Sequence, residues 1–69
     1  MIKVILNIGV LKELLDKHHM TLRMLKRATK LHPQTIEMAC SGFPIRVESA
    51  KKIARALSVD FDFIFMKFA

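Results

Sequence analysis

Hydrophobic and polar positions alternate in short blocks along the whole chain, and the period of each block predicts an element. Ile2, Val4 and Leu6 alternate with Lys3, Ile5 and Asn7, which favours a strand or extended arm over residues 1–7. The same stretch also allows an extension of the first helix. Asn7 suits the cap of a helix over about 8–18, because its short side chain accepts from free N-terminal amides. Leu11, Leu14, Leu15 and His18 follow the i, i+3, i+4, i+7 rule and form one face of it. Thr21 caps a second helix over 22–29, with Met20 and Leu25 spaced to staple its start. Leu22, Leu25, Ala28 and Thr29 face one way there, and Arg23, Lys26, Arg27 and Lys30 mostly the other.

The second half continues the series. Leu31 and His32 form a short turn, and Pro33 suits the first position of a third helix over 33–41. Ile36, Ala39 and Cys40 make its inner face, and Gly42 follows its C-cap. Phe43, Pro44 and Ile45 read as an extended loop, since Pro44 holds Phe43 out of the helical region. A fourth helix covers 47–57, where Ala50, Ile53, Ala54 and Leu57 form the cleanest stripe, although Arg46 is a poor cap. Asp60 is placed to cap a last helix over 61–65, with Phe61, Ile64, Phe65 and Phe68 in helical register. Phe61, Phe63 and Phe65 also alternate as a strand would, and the tail 66–69 suits either pairing with the Val4 strand or self-association.

Composition narrows the class. The chain has 69 residues, 52% of them hydrophobic, which argues for one packed domain over 1–69 and against disorder. One cysteine excludes an internal disulfide and an unaided tetrahedral metal site. His18 and His19 are adjacent, so on a helix they point about 100° apart and do not make a metal pair. The uncharged run from Val4 to Leu11 is far short of the roughly 20 residues of a membrane span. The expected setting is cytoplasmic, with no membrane, cofactor or metal. No activated nucleophile, carboxylate pair or phosphate-cradling glycine loop suggests an enzyme. Twelve Lys and Arg against six Asp and Glu leave a net charge of +6, which attracts nucleic acid, an acidic protein or an anionic surface.

The segment from Thr21 to Gly42 carries the chemistry. Two short helices joined by a short turn have the geometry of a helix-turn-helix, whose second helix lies in the DNA major groove. Several motifs here resemble the lambda-repressor-like family of Cro/cI or XRE type. They are Met20-Thr21 with Leu25, Leu31-His32-Pro33-Gln34-Thr35-Ile36, Gly42, and the run Ala50 to Val59. The resemblance covers about residues 8–65. It implies an all-α fold, a compact bundle of about five short helices with a short N-terminal strand as an option. The chain departs from the family at Leu22, where Gln is usual, at Lys26, where a small Ala is usual, and at Lys30, where the turn usually has Gly.

The resemblance also implies residue roles. Gln34, Thr35, Glu37 and Met38 face outward on the reading helix: Gln34 suits adenine, Glu37 the cytosine amino group, and Thr35 and Met38 phosphates or a thymine methyl. Thr21, Arg23, Arg27, Lys30, His32, Ser41 and Arg46 are the candidate phosphate contacts. With about four cations neutralising phosphates, the log–log salt slope is about −3.6 per protomer. Ile2, Val4, Phe63, Met66 and Phe68 are the candidate self-association residues. The expected function is a small, sequence-specific, repressor-like transcriptional regulator of bacterial or phage origin, a homodimer on double-stranded DNA. The alternative is a protein-interaction module on the same fold, such as a phage inhibitor, antirepressor or antitoxin-like adaptor, with a protein partner and weak or no DNA binding.

Overall fold

The computed structural model describes residues 2–68, with side chains described for 2–66. Its elements run β1 (Lys3–Leu6), α1 (Ile8–Lys17), α2 (Leu22–Thr29), α3 (Pro33–Cys40), β2 (Ile45–Arg46), α4 (Val47–Ala56), α5 (Phe61–Ile64) and β3 (Phe65–Phe68). The chain is mostly helical, with five helices and a strand near its start. The strand does not stand alone. β1 is the centre of a three-stranded antiparallel sheet in the order β2-β1-β3.

Local chemistry explains most of the helix ends. The Asn7 side chain accepts from the Val10 amide at 3.2 Å, and the Asn7 amide donates to the Ile64 carbonyl at 2.8 Å. One residue thus caps α1 and ties it to α5. Thr21 Oγ1 accepts from the Met24 amide at 3.2 Å, while Met24 Sδ accepts from the Thr21 amide at 3.5 Å. This is a capping box in which a thioether replaces the usual carboxylate or amide. At the end of α3, the Phe43 amide donates to the Met38 carbonyl and the Gly42 amide to that of Ala39. This is a Schellman motif, and its glycine has φ of 88°. The same motif closes α1 at His19 and α4 at Ser58, both left-handed without being glycine.

The core brings together Val4, Leu6, Leu11, Leu14, Leu25, Ile36, Ala39, Ile45, Ala50, Ile53, Ala54, Leu57, Ile64 and Phe65. Val4 and Leu6 point inward from β1, with Ile45 and Phe65 opposite them on the neighbouring strands. That alternation puts Lys3 and Ile5 on the outer face.

Several expectations are corrected. Ile45 is not in a loop: with Arg46 it forms β2, because Val4 and Lys3 supply the pairing. Phe65 leaves the helix and begins β3, where it faces Leu6 in the core. The run Phe65–Phe68 pairs within the chain. His18 and Ala28, expected on inner faces, are exposed, and Cys40 is half-buried. Asp60 makes no side-chain capping bond; its carbonyl accepts from the Phe63 amide instead. Val4, a candidate for self-association, is fully enclosed by its own chain and has no surface to offer.

Candidate nucleic-acid interface

α3 is held at its start by two residues of different kinds. Pro33 occupies the first turn, where its missing N–H costs no bond. His32 is the N-cap, its Nδ1 accepting from the Gln34 amide at 3.1 Å. An accepting Nδ1 leaves the ring N–H on Nε2, and the residue is exposed. The turn into α3 is closed from the other side by Thr29. This buried residue donates its hydroxyl to the Lys26 carbonyl and accepts from the Leu31 amide. Lys30, between them, has the left-handed φ of 57° that a turn glycine would adopt.

With Ile36 and Ala39 buried, the opposite side of α3 carries Gln34, Glu37, Met38 and Ser41 at i, i+3, i+4 and i+7. All four are exposed, and Thr35 is half-buried at their edge. On α2, Arg23, Lys26, Arg27 and Lys30 share a second stripe of the same spacing. The structure splits this stripe. Lys26 is partly covered and its Nζ lies 3.1 Å from Glu37 Oε1, while Arg23, Arg27 and Lys30 are exposed and make no ion pair among the described residues. The Lys26–Glu37 pair crosses directly from α2 to α3. At this exposure it contributes at most about 1 kcal/mol to stability.

A third group of residues adjoins the far edge of α3. Lys3, Thr35, Met38, Pro44, Ile45, Arg46 and Ser49 line a shallow cavity of about 180 Å³. Lys3 was not among the residues singled out from the sequence. It reaches this place because β1 sets it directly opposite Arg46 on β2. Two like charges directly opposite on a strand pair disfavour one another, so an anion between them is stabilising. No local sequence signal could have found Lys3, since its neighbour is more than forty positions away.

The other candidates are placed as follows. Thr21 is exposed; its oxygen serves as the α2 cap, and its hydroxyl hydrogen stays free to donate. Ile2, Phe63 and Met66 are exposed apolar residues, and the side chain of Phe68 lies outside the described residues. Met66 stands opposite Ile5 on the outer face of the sheet. Cys40 sits on the inner flank of α3. Burial pushes its thiol pKa up, and the nearby Lys26 ammonium opposes this.

Two further concavities involve α4. A trough of about 710 Å³ runs between α4 and α5, past Lys51, Arg55, Asp60 and Phe63. Another of about 320 Å³ lies between Lys30 at the end of α2 and Lys52 and Arg55 on α4. Among the described residues, no three His, Cys, Asp or Glu side chains come together to hold a metal ion. No helix there is long and apolar enough to cross a membrane.

A helix-turn-helix family model matches residues 11–64, which is most of the chain. The match takes in α2, the turn, α3 and α4 whole. No curated protein and no solved structure matches the chain.

Proposed function

Since the chain belongs to the helix-turn-helix family of Cro/C1 type, whose members are DNA-binding regulators, we propose that it is a small, sequence-specific, repressor-like transcriptional regulator. It acts in the cytoplasm of a bacterium or on behalf of a phage, and binds duplex DNA as a homodimer with α3 in the major groove.

One observation carries this reading. The outward stripe of α3 contains no cation, yet cations stand on two sides of it: Arg23, Arg27 and Lys30 from α2, and Lys3 and Arg46 from the sheet. A duplex is anionic along its backbone and offers hydrogen-bonding edges in its groove, and this surface has the complementary order. In this reading Gln34, Thr35, Glu37 and Met38 contact base edges. Thr21, His32 and Ser41 add neutral donors to the phosphate-contacting cations. A single protomer makes few phosphate contacts, so tight binding requires two half-sites about one helical turn apart. Ile2, Phe63 and Met66 supply apolar area for the second copy.

The test is a polarisation titration against genomic DNA fragments at two salt concentrations. With about five cations engaged, the log–log salt slope is about −4.5 per protomer. Gln34→Ala should lose discrimination among fragments while retaining general affinity. Absence of binding at low salt, or binding indifferent to salt, overturns the proposal.

A second reading, a protein-interaction module on the same fold, is favoured by a separate observation. Met24, Phe43, Phe63 and Met66 are all about half exposed, which leaves apolar area open to a protein partner. A stable protein partner that is bound in preference to DNA supports that reading.

A further inference from the structure

We propose that Lys26 is a positioning residue for base recognition. Its ammonium holds the Glu37 carboxylate so that the pair, and not Glu37 alone, selects a cytosine amino group in the groove. The inference rests on the DNA-reading role of α3.

Lys26 lies on α2, and only about a quarter of its side chain is exposed. Its stem is largely covered while its ammonium reaches α3, as long cationic side chains commonly do. There it meets Glu37 Oε1 at 3.1 Å. This is the one ion pair among the described residues, in a chain with twice as many cations as carboxylates. The partner it selects is the single charged residue in the outward stripe of α3, next to Gln34 and Met38.

The pairing changes what Glu37 can do. A lone carboxylate approaching DNA is repelled by the phosphates and can swing among its rotamers. Paired with Lys26, its charge is partly offset and its rotamers are biased toward one direction. One oxygen is occupied, and the other remains a hydrogen-bond acceptor on the exposed side. In the major groove the cytosine edge donates through N4, whereas guanine offers O6 and N7 as acceptors that a carboxylate rejects. A held carboxylate therefore discriminates cytosine from guanine at one position. This gives a role to a residue that departs from the small side chain usual at a helix crossing.

The experiment is selection of bound duplexes from a randomised pool, sequenced for the wild type, Lys26→Met, Glu37→Gln and the exchanged pair Lys26→Glu/Glu37→Lys. Met keeps the stem and the helix propensity of Lys, and circular dichroism confirms that each variant is folded. The wild-type motif should contain one cytosine column that Glu37→Gln alters. Lys26→Met should weaken preference in that same column by about 5- to 10-fold, leaving the columns read by Gln34 and Thr35 intact. The exchanged pair, with a lysine now facing the groove, should turn the column toward guanine. A Lys26→Met motif identical to wild type overturns the inference, as does uniform flattening of every column. A folded wild-type chain that enriches no motif overturns the DNA reading itself, and this inference with it.

Discussion

Among the described residues, three adopt a left-handed backbone without being glycine: His19, Lys30 and Ser58. That conformation costs an L-residue about 1–2 kcal/mol, partly offset because glycine loses more entropy on folding. Lys30→Gly should therefore stabilise the fold by about 0.5–1 kcal/mol, raising the thermal midpoint by about 4 °C. Lys30 is exposed in the turn before α3 and is a candidate phosphate contact, so the same variant should bind DNA more weakly in the titration above. Gly42 is the opposite case. A Cβ there meets nothing within 4 Å, so Gly42→Ala should lose about 1 kcal/mol purely through the backbone. Cys40 gives a pH-dependent prediction. Its folded thiol pKa is raised above the unfolded value, so folding favours the protonated form. The stability linked to it is fully present below the unfolded thiol's value of 9.0 and is lost as pH rises through the folded one. Alkylation of Cys40 near neutral pH should be slower than that of a free thiol. Lys26→Met should slow it further, because the ammonium favours the thiolate; faster alkylation in that variant would contradict the cause given.

At the scale of elements, the two helices that form the motif are short and depend on caps and packing. An isolated helix of eight residues is not stable in water, so α2 and α3 exist because Leu25 and Ile36 are buried between them and the rest of the core. Thr21→Ala should cost about 1 kcal/mol through loss of the α2 cap, seen as a lowered denaturation midpoint. Leu25→Ala or Ile36→Ala should cost about 2–5 kcal/mol. That is comparable with the whole stability of a chain this small, and the expected outcome is loss of the cooperative thermal transition. α4 illustrates a different solution. Arg46 makes no side-chain capping bond, and the helix begins there because β2 holds Arg46 extended immediately before the first turn. A strand pairing has replaced a cap, which is why the start of α4 was the least definite boundary in the sequence.

At the scale of the whole molecule, the radius of gyration of 10.6 Å is close to the ~11 Å of a compact chain this long. β1 is what draws the two ends together, bonded to β2 on one side and β3 on the other. Truncation after Ile64 should remove Phe65 from the core and unpair β1 along that edge. The shortened chain should lose its cooperative melt by circular dichroism, whereas a merely peripheral tail would leave it unchanged. By itself the sequence determined the helices and most of their inner faces, though not at His18, Ala28 or Cys40, because an amphipathic period, a Thr or Asn cap and a Pro or Gly boundary act over a few residues. The stripes at Leu11/Leu14, Ile36/Ala39 and Ala50/Ile53/Ala54/Leu57 are local in that sense, and so are the Gln34 to Met38 candidates, since a known inner face defines an outer one. The tertiary structure alone decided the rest. A two-residue strand has no period to detect, so Ile45–Arg46 is legible only once Lys3 and Val4 lie beside it. Phe61 to Phe65 carries both a helical and a strand period, and the pairing of Phe65 with Leu6 set the point where helix gives way to strand. Lys3 beside Arg46, and Lys26 on Glu37, are neighbours only in space. Those contacts span from eleven residues to more than forty, and no rule that reads a helical turn at a time can see across that distance.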